Sequence, residues 1–262
     1  MTARIAILTV VRNDLAGLLA TRASLRAQRC QDFDWIVVDG ASTDGTADWL
    51  ARHGGETTWW RSAPDGGIYD AMNVALDAAT ASHALFLNAG DTLAGPEVTA
   101  RLGEAVAEAP DAGLIYGDAL ERLPDGRVVK KPARSHRLAV LGMFTHHQAI
   151  LYRLNALSGL RFDLRFSLAA DYAFTLAVLE RGHNALRLRI PLCVFAPGGV
   201  SQQDASRGRK EQAIIRQELM GQGIWANATL WCLQWLALMT RKHIPKLYAK
   251  FRFQAMETSC LS

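Results

Sequence analysis

Short, continuous apolar runs alternate with helical patterns along the first half of the chain. The runs IAILTVV at residues 5–11, WIVV at 35–38 and HALFL at 83–87 show no alternation of polar and apolar residues. Asp14 can N-cap a helix that places Leu15, Leu18 and Leu25 at helical spacing. Strands that are apolar on both faces occur where helices cover both sides of a parallel sheet. The sequence therefore predicts an α/β fold with a mostly parallel central sheet.

Turn and capping residues predict further elements. Ser42 or Thr43 is expected to cap the helix after the second strand, and Pro96 is expected in the first turn of a later helix. A strand at 114–116 is expected to end at Gly117 and Asp118. We also expect a hairpin within 120–131, helices at 168–181 and 204–222, and an extended segment at 185–195.

Length, charge and cysteine content exclude several classes of protein. A chain of 262 residues fits one large domain, or one domain with an appendage. The net charge is only +4 and no long basic run is present, which argues against a nucleic-acid partner. The four cysteines are scattered, no signal-peptide pattern precedes the first strand, and no apolar run reaches the ~20 residues of a membrane-spanning helix. We therefore expect a cytoplasmic protein.

Polar residues follow several of the predicted strands. Arg12 follows the first strand, Asp39 the second, and Asn88 and Asp91 the strand at 83–87. Ligands of parallel α/β sheets bind outside the carboxyl ends of the strands, although such residues also serve as turn residues and helix caps. Glycine-rich dinucleotide and P-loop motifs and a G-x-S-x-G elbow are absent. A divalent metal held by carboxylate, neutralising a diphosphate, fits this pattern.

Several motifs occur in an order that resembles a known family. The segments TVVRN, VVDGASTDGT, SAPDGGIYDAMN and FLNAGD, followed by FDLRFSLAADY and GGVS, are similar to family 2 glycosyltransferases. The resemblance covers roughly residues 4–201 and is greatest to the bacterial exopolysaccharide and colanic-acid type. It implies a GT-A fold, which is Rossmann-like with a mostly parallel sheet flanked by helices, and an inverting transfer from a nucleotide-diphosphate sugar.

The resemblance assigns the donor-binding residues by position. Thr9, Arg12 and Asp39 match the residues that contact the nucleotide. Where the family often has a second Asp after Asp39, this chain has Gly40. The segment that lines the base and donor pocket in the family contains Asp65, Asp70 and Asn73.

FLNAGD stands where the family has its D-x-D type motif. Asn88 and Gly90 replace acids and are expected to contact the donor, while Asp91 is expected to hold Mg²⁺ or Mn²⁺. The alternative role for Asp91 is a helix cap. With a single protein carboxylate, the metal is expected to bind weakly in the absence of the donor.

Asp171 matches the family's catalytic base, which would accept the proton of the acceptor hydroxyl. A helix cap is the competing role for this residue. Adjacent residues of an extended segment point to opposite faces, so at most one of His146 and His147 is expected to face the site. The candidate acceptor or diphosphate contacts are His146, His147, Gln148 and Tyr172.

The sequence suggests a GT-A domain over residues 1–201, with a nucleotide-sugar half to about 118 and an acceptor half from 119. Residues 202–262 form a helical, basic extension in which Asn227, Gln234 and Arg241 share one line of an otherwise apolar helix. This amphipathic segment can pack on the domain, form a dimer contact, or bind a membrane surface through residues 225–253.

Together, the resemblance and the residues that match it imply a metal-dependent, inverting hexosyltransferase. It would move a sugar from a UDP- or GDP-type donor to a glycan or lipid-linked acceptor in bacterial surface polysaccharide synthesis, peripherally bound to the inner face of the cell membrane. A nucleotidyltransferase acting on sugar phosphates is the second candidate, although the glycine-rich basic loop it needs is absent. The third candidate is a catalytically inactive scaffold. The replacement of acids by Gly40, Asn88 and Gly90 favours it.

Overall fold

Nine strands of the described part of the chain form one mixed sheet, in the order β3-β2-β1-β4-β8-β6-β9-β5 with β7 beside β6. The structure is a computed structural model that describes residues 5–123, 126–195 and 204–243. The strands are β1 Ile5–Val11, β2 Phe33–Asp39, β3 Trp59–Ser62, β4 His83–Phe86, β5 Thr92–Leu93, β6 Leu114–Arg122, β7 Val128–Lys131, β8 Ile150–Arg153 and β9 Ala185–Phe195.

The principal strands share one direction. β1 pairs in parallel with both β2 and β4, and β2 pairs in parallel with β3. β8 runs antiparallel between β4 and β6, and β6 pairs in parallel with β9. The carboxyl ends of β1, β2, β3 and β4 therefore lie at one edge, and the predicted α/β fold with a mostly parallel sheet is confirmed.

Helices cover both faces of the sheet because the central strands are apolar on both faces. Ile5 and Ile7 pack with α1 and α4, whereas Ala6 and Leu8 pack with α3 and α6. The helices are α1 Leu15–Arg26, α2 Thr46–His53, α3 Ile68–Ala78, α4 Val98–Glu108, α5 Leu154–Leu157, α6 Ala170–Glu180, α7 Ala205–Met220 and α8 Ile224–His243.

Two predicted element boundaries are wrong. The helix after β2 begins at Thr46 with Gly45 as its N-cap, so neither Ser42 nor Thr43 caps it. The strand expected to end at Asp118 continues to Arg122 because it pairs with the hairpin strand β7. The prediction for Pro96 is also wrong, because Pro96 lies in the turn before α4, which begins at Val98 with Glu97 as its N-cap, and not in the first turn of that helix.

The hairpin itself is confirmed, with Arg122 opposite Val128; residues 124 and 125 of its turn lie outside the described part of the chain. Within it, Asp118 is buried and its Oδ2 lies 3.0 Å from Lys130 Nζ. Its Oδ1 accepts from Ala133 N at 2.8 Å. Asp118 therefore stabilises the hairpin and does not end a strand.

The C-terminal helix α8 turns its polar residues toward the protein. Asn227 Oδ1 accepts from Arg216 Nε at 3.0 Å, and Gln234 Nε2 donates to Gln212 Oε1 at 2.9 Å. Trp225 is 85% exposed, and Trp231 and Trp235 are also exposed. The helix is therefore amphipathic with its apolar face outward. Within the described ranges, no helix is long and apolar enough to cross a membrane.

An aromatic cluster on the α3–α6 side of the sheet encloses one histidine. His147 stacks on Phe86 at 4.9 Å between ring centroids and also contacts Phe162 and Tyr152. Its Nε2 is buried and has no hydrogen-bond partner in the described structure. Burial lowers the pKa of His147 to about 3, so the folded protein keeps this ring neutral.

This cluster predicts an acid-sensitive stability. The unfolded chain protonates His147 near pH 6.5 and the folded chain only near pH 3, so stability falls as the pH drops between these values. From pH 7 to pH 5 the free energy of unfolding should fall by ~2 kcal/mol, because each pKa unit corresponds to about 1.4 kcal/mol. His147→Phe should remove this part of the loss in urea unfolding at both pH values. His243→Phe, on the exposed end of α8, should not, and an unchanged loss in His147→Phe would contradict the assignment.

Candidate functional site

The loops after β1 and β2 are joined by side chains that bind backbone groups. Asn13 N donates to Ser42 Oγ at 2.7 Å, and Thr43 N donates to Asn13 Oδ1 at 2.8 Å. Leu15 N donates to Asp44 Oδ2 at 2.9 Å. These bonds satisfy backbone groups that no strand or helix can pair, and they fix the two loops to each other at the sheet edge.

Asp39 is fully buried at the end of β2, beneath these loops. Its carboxylate accepts from Ser42 N at 3.2 and 3.3 Å, from Ser42 Oγ, and from Ser62 Oγ at 2.6 Å. The described structure therefore uses Asp39 to hold the loops after β2 and β3 in place.

Thr9 and Arg12, which were predicted together, occupy different environments. Thr9 is fully buried, and its Oγ1 accepts from Trp35 Nε1 at 3.0 Å. Its side chain packs in the core on the same face as Ile7, because residues two apart on a strand share a face. Arg12 is exposed at the end of β1.

The side chains of Arg12 and Asp65 both lie close to Gly40. A Cβ placed on Gly40 would lie 2.6 Å from Asp65 Oδ2 and 3.4 Å from Arg12 Cδ. The Asp65 carboxylate therefore occupies the space into which a side chain at position 40 would extend. An acid lies at this point of the edge even though the residue after Asp39 is a glycine.

The segment before α3 is shaped by its own acids. Asp65 Oδ1 accepts from Gly67 N at 2.9 Å, and Asp70 Oδ2 accepts from Gly66 N at 2.8 Å. Asn73 binds both backbone groups of Phe162, at 3.0 and 2.8 Å. Asn73 thus connects α3 to the segment that leads into α6.

Asp91 lies in the turn after β4. Thr21 Oγ1 donates to Asp91 O at 2.7 Å, and Gly90 has a φ of 90°, in the left-handed region that glycine adopts most readily. The Asp91 side chain is buried, and its Oδ2 accepts from Gln148 Nε2 at 2.9 Å. Gln148, predicted as a contact residue, therefore orients this carboxylate.

The residues around Asp91 offer few ligands for a metal. No group of three or more His, Cys, Asp or Glu residues within the described ranges is placed to hold an ion. Asn88 Oδ1, however, is a buried carbonyl oxygen with no hydrogen-bond partner among the described residues. An amide oxygen and a carboxylate suit a hard cation that takes its other ligands from phosphate and water. Asn88 Oδ1 and the Asp91 carboxylate are therefore the two described candidates for ligands to such a cation.

Asp171 lies in the first turn of α6. Its Oδ1 accepts from Tyr172 N at 2.8 Å and lies 3.4 Å from Tyr69 OH. Burial raises the pKa of Asp171 to about 6, against the opposing effect of these two donors. A carboxylate with this pKa is ionised at neutral pH and still basic enough to accept a proton.

The other predicted contact residues divide between the interior and a polar cluster. His147 and Tyr172 are buried. His146 Nε2 lies 3.0 Å from Lys131 Nζ and 3.7 Å from Glu121 Oε2, and its ring stacks on Phe195. Burial opposes ionisation of Glu121, but hydrogen bonding to His146 and the charge of Lys131 lower its pKa to about 2.

Sequence reasoning missed Tyr69, Glu121 and Lys131. Tyr69 stands beside Asp70 in a quoted motif and could have been noted, whereas the other two come from the hairpin and carry no motif. The GGVS segment of the resemblance, residues 198–201, lies outside the described residues.

The comparisons with known proteins agree on one family. Residues 6–164 match the family model for glycosyl transferase family 2. An uncharacterized glycosyltransferase of Mycobacterium tuberculosis is 33% identical over 201 residues, covering 75% of this chain and 76% of the relative. A PGL/p-HBAD biosynthesis glycosyltransferase of Mycobacterium bovis is 34% identical over 168 residues, covering 63% of this chain and 65% of the relative.

Solved structures share the fold. TarS 1-349 of S. aureus in complex with UDP has a TM-score of 0.64 at 18% identity, over 82% of this chain and 66% of that chain. The mannosyltransferase PcManGT of Pyrobaculum calidifontis, in complex with GDP-Man and Mn²⁺, has a TM-score of 0.64 at 16% identity, over 93% of this chain and 76% of that chain. The predicted GT-A fold is confirmed.

The Tyr69 contact predicts how Asp171 titrates. Because a donor to the ionised form lowers an acid's pKa, Tyr69→Phe should raise the pKa of Asp171 above about 6. Carbon-13 NMR titration of the carboxyl group measures this directly. Tyr116→Phe, whose hydroxyl contacts His136 instead, should leave it unchanged. A pKa that stays the same or falls in Tyr69→Phe would show that the hydrogen bond is absent.

Proposed function

The chain belongs to glycosyl transferase family 2, and from this we propose that it transfers a sugar with inversion from a nucleotide-diphosphate sugar to a glycan or lipid-linked acceptor. The proposed setting is bacterial surface polysaccharide synthesis, of the exopolysaccharide or colanic-acid type. The observation that carries the proposal is the Asp171 carboxylate, whose pKa of about 6 suits a general base. The family assignment also favours sugar transfer over nucleotidyl transfer.

The proposed donor is a UDP- or GDP-sugar. Relatives in fold were solved with UDP, with UDP-GlcNAc, and with GDP-Man and Mn²⁺, which supports this donor class. Arg12 and Asp65, whose side chains both lie close to Gly40, are proposed to contact the nucleotide. Asp39, Asp70 and Asn73 would act by fixing the loops that form the pocket, because their side chains are bonded to those loops.

Asp171 is proposed to accept the proton from the attacking acceptor hydroxyl. That oxygen forms a bond to the anomeric carbon as the bond from this carbon to the diphosphate oxygen breaks. The nucleoside diphosphate leaves with the electron pair, and attack from the opposite face inverts the anomeric centre. Tyr69 would hold the carboxylate through its hydroxyl, 3.4 Å away.

Asp91 and Asn88 are proposed to hold Mg²⁺ or Mn²⁺ together with the donor. When bound, the cation would neutralise charge that develops on the leaving diphosphate. Gln148 keeps the Asp91 carboxylate in one orientation through its amide, and Gly90 provides the turn that presents it. Because the protein supplies few ligands, the ion is expected to bind with the donor.

Residues 225–253 are proposed to contact an anionic membrane surface. In α8 the polar residues bond to the protein and the tryptophans face outward, which is the reverse of a helix that packs on its own domain. In the sequence Lys246, Lys250 and Arg252 follow this helix. Aromatic residues beside basic ones suit the boundary between headgroups and acyl chains, where a lipid-linked acceptor would lie.

Asp171→Asn should lower the rate of sugar transfer from the donor to the acceptor by ~10²–10⁴-fold, because a general base contributes about this much. The donor should bind the variant as it binds the wild type. Asp77→Asn, an exposed acid on α3 paired with Arg161, should keep full activity. Wild-type turnover in Asp171→Asn would refute the base assignment. A wild-type protein inactive with every donor and acceptor tested would favour a scaffold.

A matching nucleotide with Mn²⁺ should raise the melting temperature by roughly 5–10 °C at a hundredfold excess over Kd, corresponding to about 2.7 kcal/mol. UDP, GDP and dTDP, each with and without Mn²⁺, would be compared. Asp91→Asn should lose the Mn²⁺-dependent part of the rise, whereas Asp111→Asn, an exposed acid, should keep it. A full rise in Asp91→Asn would exclude Asp91 as a ligand.

The protein should float with vesicles that contain phosphatidylglycerol and less so with neutral vesicles. A variant in which Trp225, Trp231 and Trp235 are all replaced by serine should not bind the vesicles, because these side chains form the exposed face of α8. Trp59→Ser, at the far edge of the sheet, is the matched control. Equal binding by the triple variant would place the contact elsewhere, and a dimer that the triple variant disrupts would indicate a second copy instead.

A further inference from the structure

The segment that leads into α6 is bound by a carboxylate from another helix. Glu211, on α7, accepts from Leu168 N and Ala169 N, both at 2.9 Å, through Oε2. Its Oε1 accepts from Ser167 N and Ser167 Oγ, both at 3.2 Å. Three successive backbone N–H groups thus converge on one buried carboxylate, an arrangement typical of a backbone anion site.

No local side chain can replace Glu211 at this point. Ala169 is the N-cap of α6 and makes no side-chain hydrogen bond. The described residues provide no acceptor other than Glu211 for the N–H groups of Ser167, Leu168 and Ala169. Without Glu211 these three N–H groups would lose their acceptor, so the conformation of this segment depends on Glu211.

The bound segment ends two residues before Asp171. The Asp171 carboxylate is attached to the first turn of α6, so a shift of residues 167–169 would move it relative to Tyr69 on α3. We propose that Glu211 is a positioning residue for Asp171, which holds the start of α6 where the base can reach the acceptor. The inference rests on the proposed role of Asp171 as the base.

The charge of Glu211 also affects the pKa of Asp171. The titratable groups that face Asp171 are Tyr69 from α3, Tyr152 from β8 and Glu211 from α7. The carboxylate of Glu211 is partly offset by Arg207, whose Nε lies 3.3 Å from Oε1. A neighbouring negative charge disfavours ionisation of an acid, so it adds to the effect of burial and raises the pKa of Asp171.

Two substitutions distinguish the effect of Glu211 on the position of Asp171 from the effect of its charge on the pKa of Asp171. Glu211→Gln keeps the length but removes the charge and one acceptor oxygen, so kcat should fall roughly ten- to a hundredfold, the scale expected for a displaced catalytic group. The KM for the donor should change less than twofold. The acid limb of the pH–rate profile should move to lower pH, because the charge that raises the pKa of Asp171 is gone.

Glu211→Asp keeps the charge but shortens the side chain, so kcat should fall without that shift of the acid limb. Glu218→Gln, on the same helix but paired with the exposed Arg165, is the matched control and should resemble the wild type. In the wild-type protein, hydrogen exchange at the amides of residues 167–169 should be slow, which is a result that needs no variant.

The outcomes distinguish the inference from the proposed function. If Asp171→Asn is active, the proposed base is wrong and Glu211 has no base to position. If Asp171→Asn is inactive while Glu211→Gln keeps the wild-type kcat and acid limb, the inference is overturned and the proposed function stands. Fast hydrogen exchange at amides 167–169 of the wild-type protein would also overturn the inference. This test applies even if neither Glu211 variant folds.

Discussion

The burial of the central strands on both faces is the constraint on which the rest of the structure depends. Residues of β1, β2 and β4 pack against helices on either side, so these strands have no exposed face that could bind a ligand. Polar chemistry is restricted to the residues that follow each strand. Because the parallel strands share one direction, those residues gather at one edge of the sheet.

The loops at this edge of the sheet need hydrogen-bond partners for their own backbone groups. Asn13 and Ala41 have φ angles of 51° and 55°, in the left-handed region that residues other than glycine rarely adopt. The loops keep these conformations through bonds from Asn13, Ser42 and Asp39 to neighbouring backbone and hydroxyl groups. Polar residues predicted to bind a ligand therefore also build the walls of the site, and a loss of activity on their substitution has two physical causes.

The sequence was sufficient for the central strands β1, β2 and β4, because continuous apolar runs leave few alternatives, and for the order of the motifs. It did not predict β5 or β8, and it ended β6 too early. The burial of Thr9 could also have been predicted from the sequence. Thr9 lies two residues after Ile7 and four after Ile5 in β1, so its side chain points to the same face of the sheet and into the core. For His146 and His147, the prediction of opposite faces assumed an extended segment, but His147 begins a short 3-10 helix, residues 147–149. The packing of His147 against Phe86 and Phe162 buries it, and this packing could not be predicted. The space over Gly40 could not be predicted, since the acid that fills it, Asp65, comes from the loop after β3.

Glu211 shows the limit of local reasoning most clearly. It lies more than forty positions from the N–H groups that it binds, and beyond the residues that match the family model. Its charge also has a chemical consequence. An arginine or lysine near the start of α6 would lower the pKa of Asp171 and weaken it as a base, whereas a carboxylate binds the N–H groups of residues 167–169 and keeps the site negative. Burial, the donors from Tyr172 and Tyr69, and the charge of Glu211 together leave Asp171 ionised at neutral pH and close to its pKa, which is the condition under which a carboxylate accepts a proton most effectively.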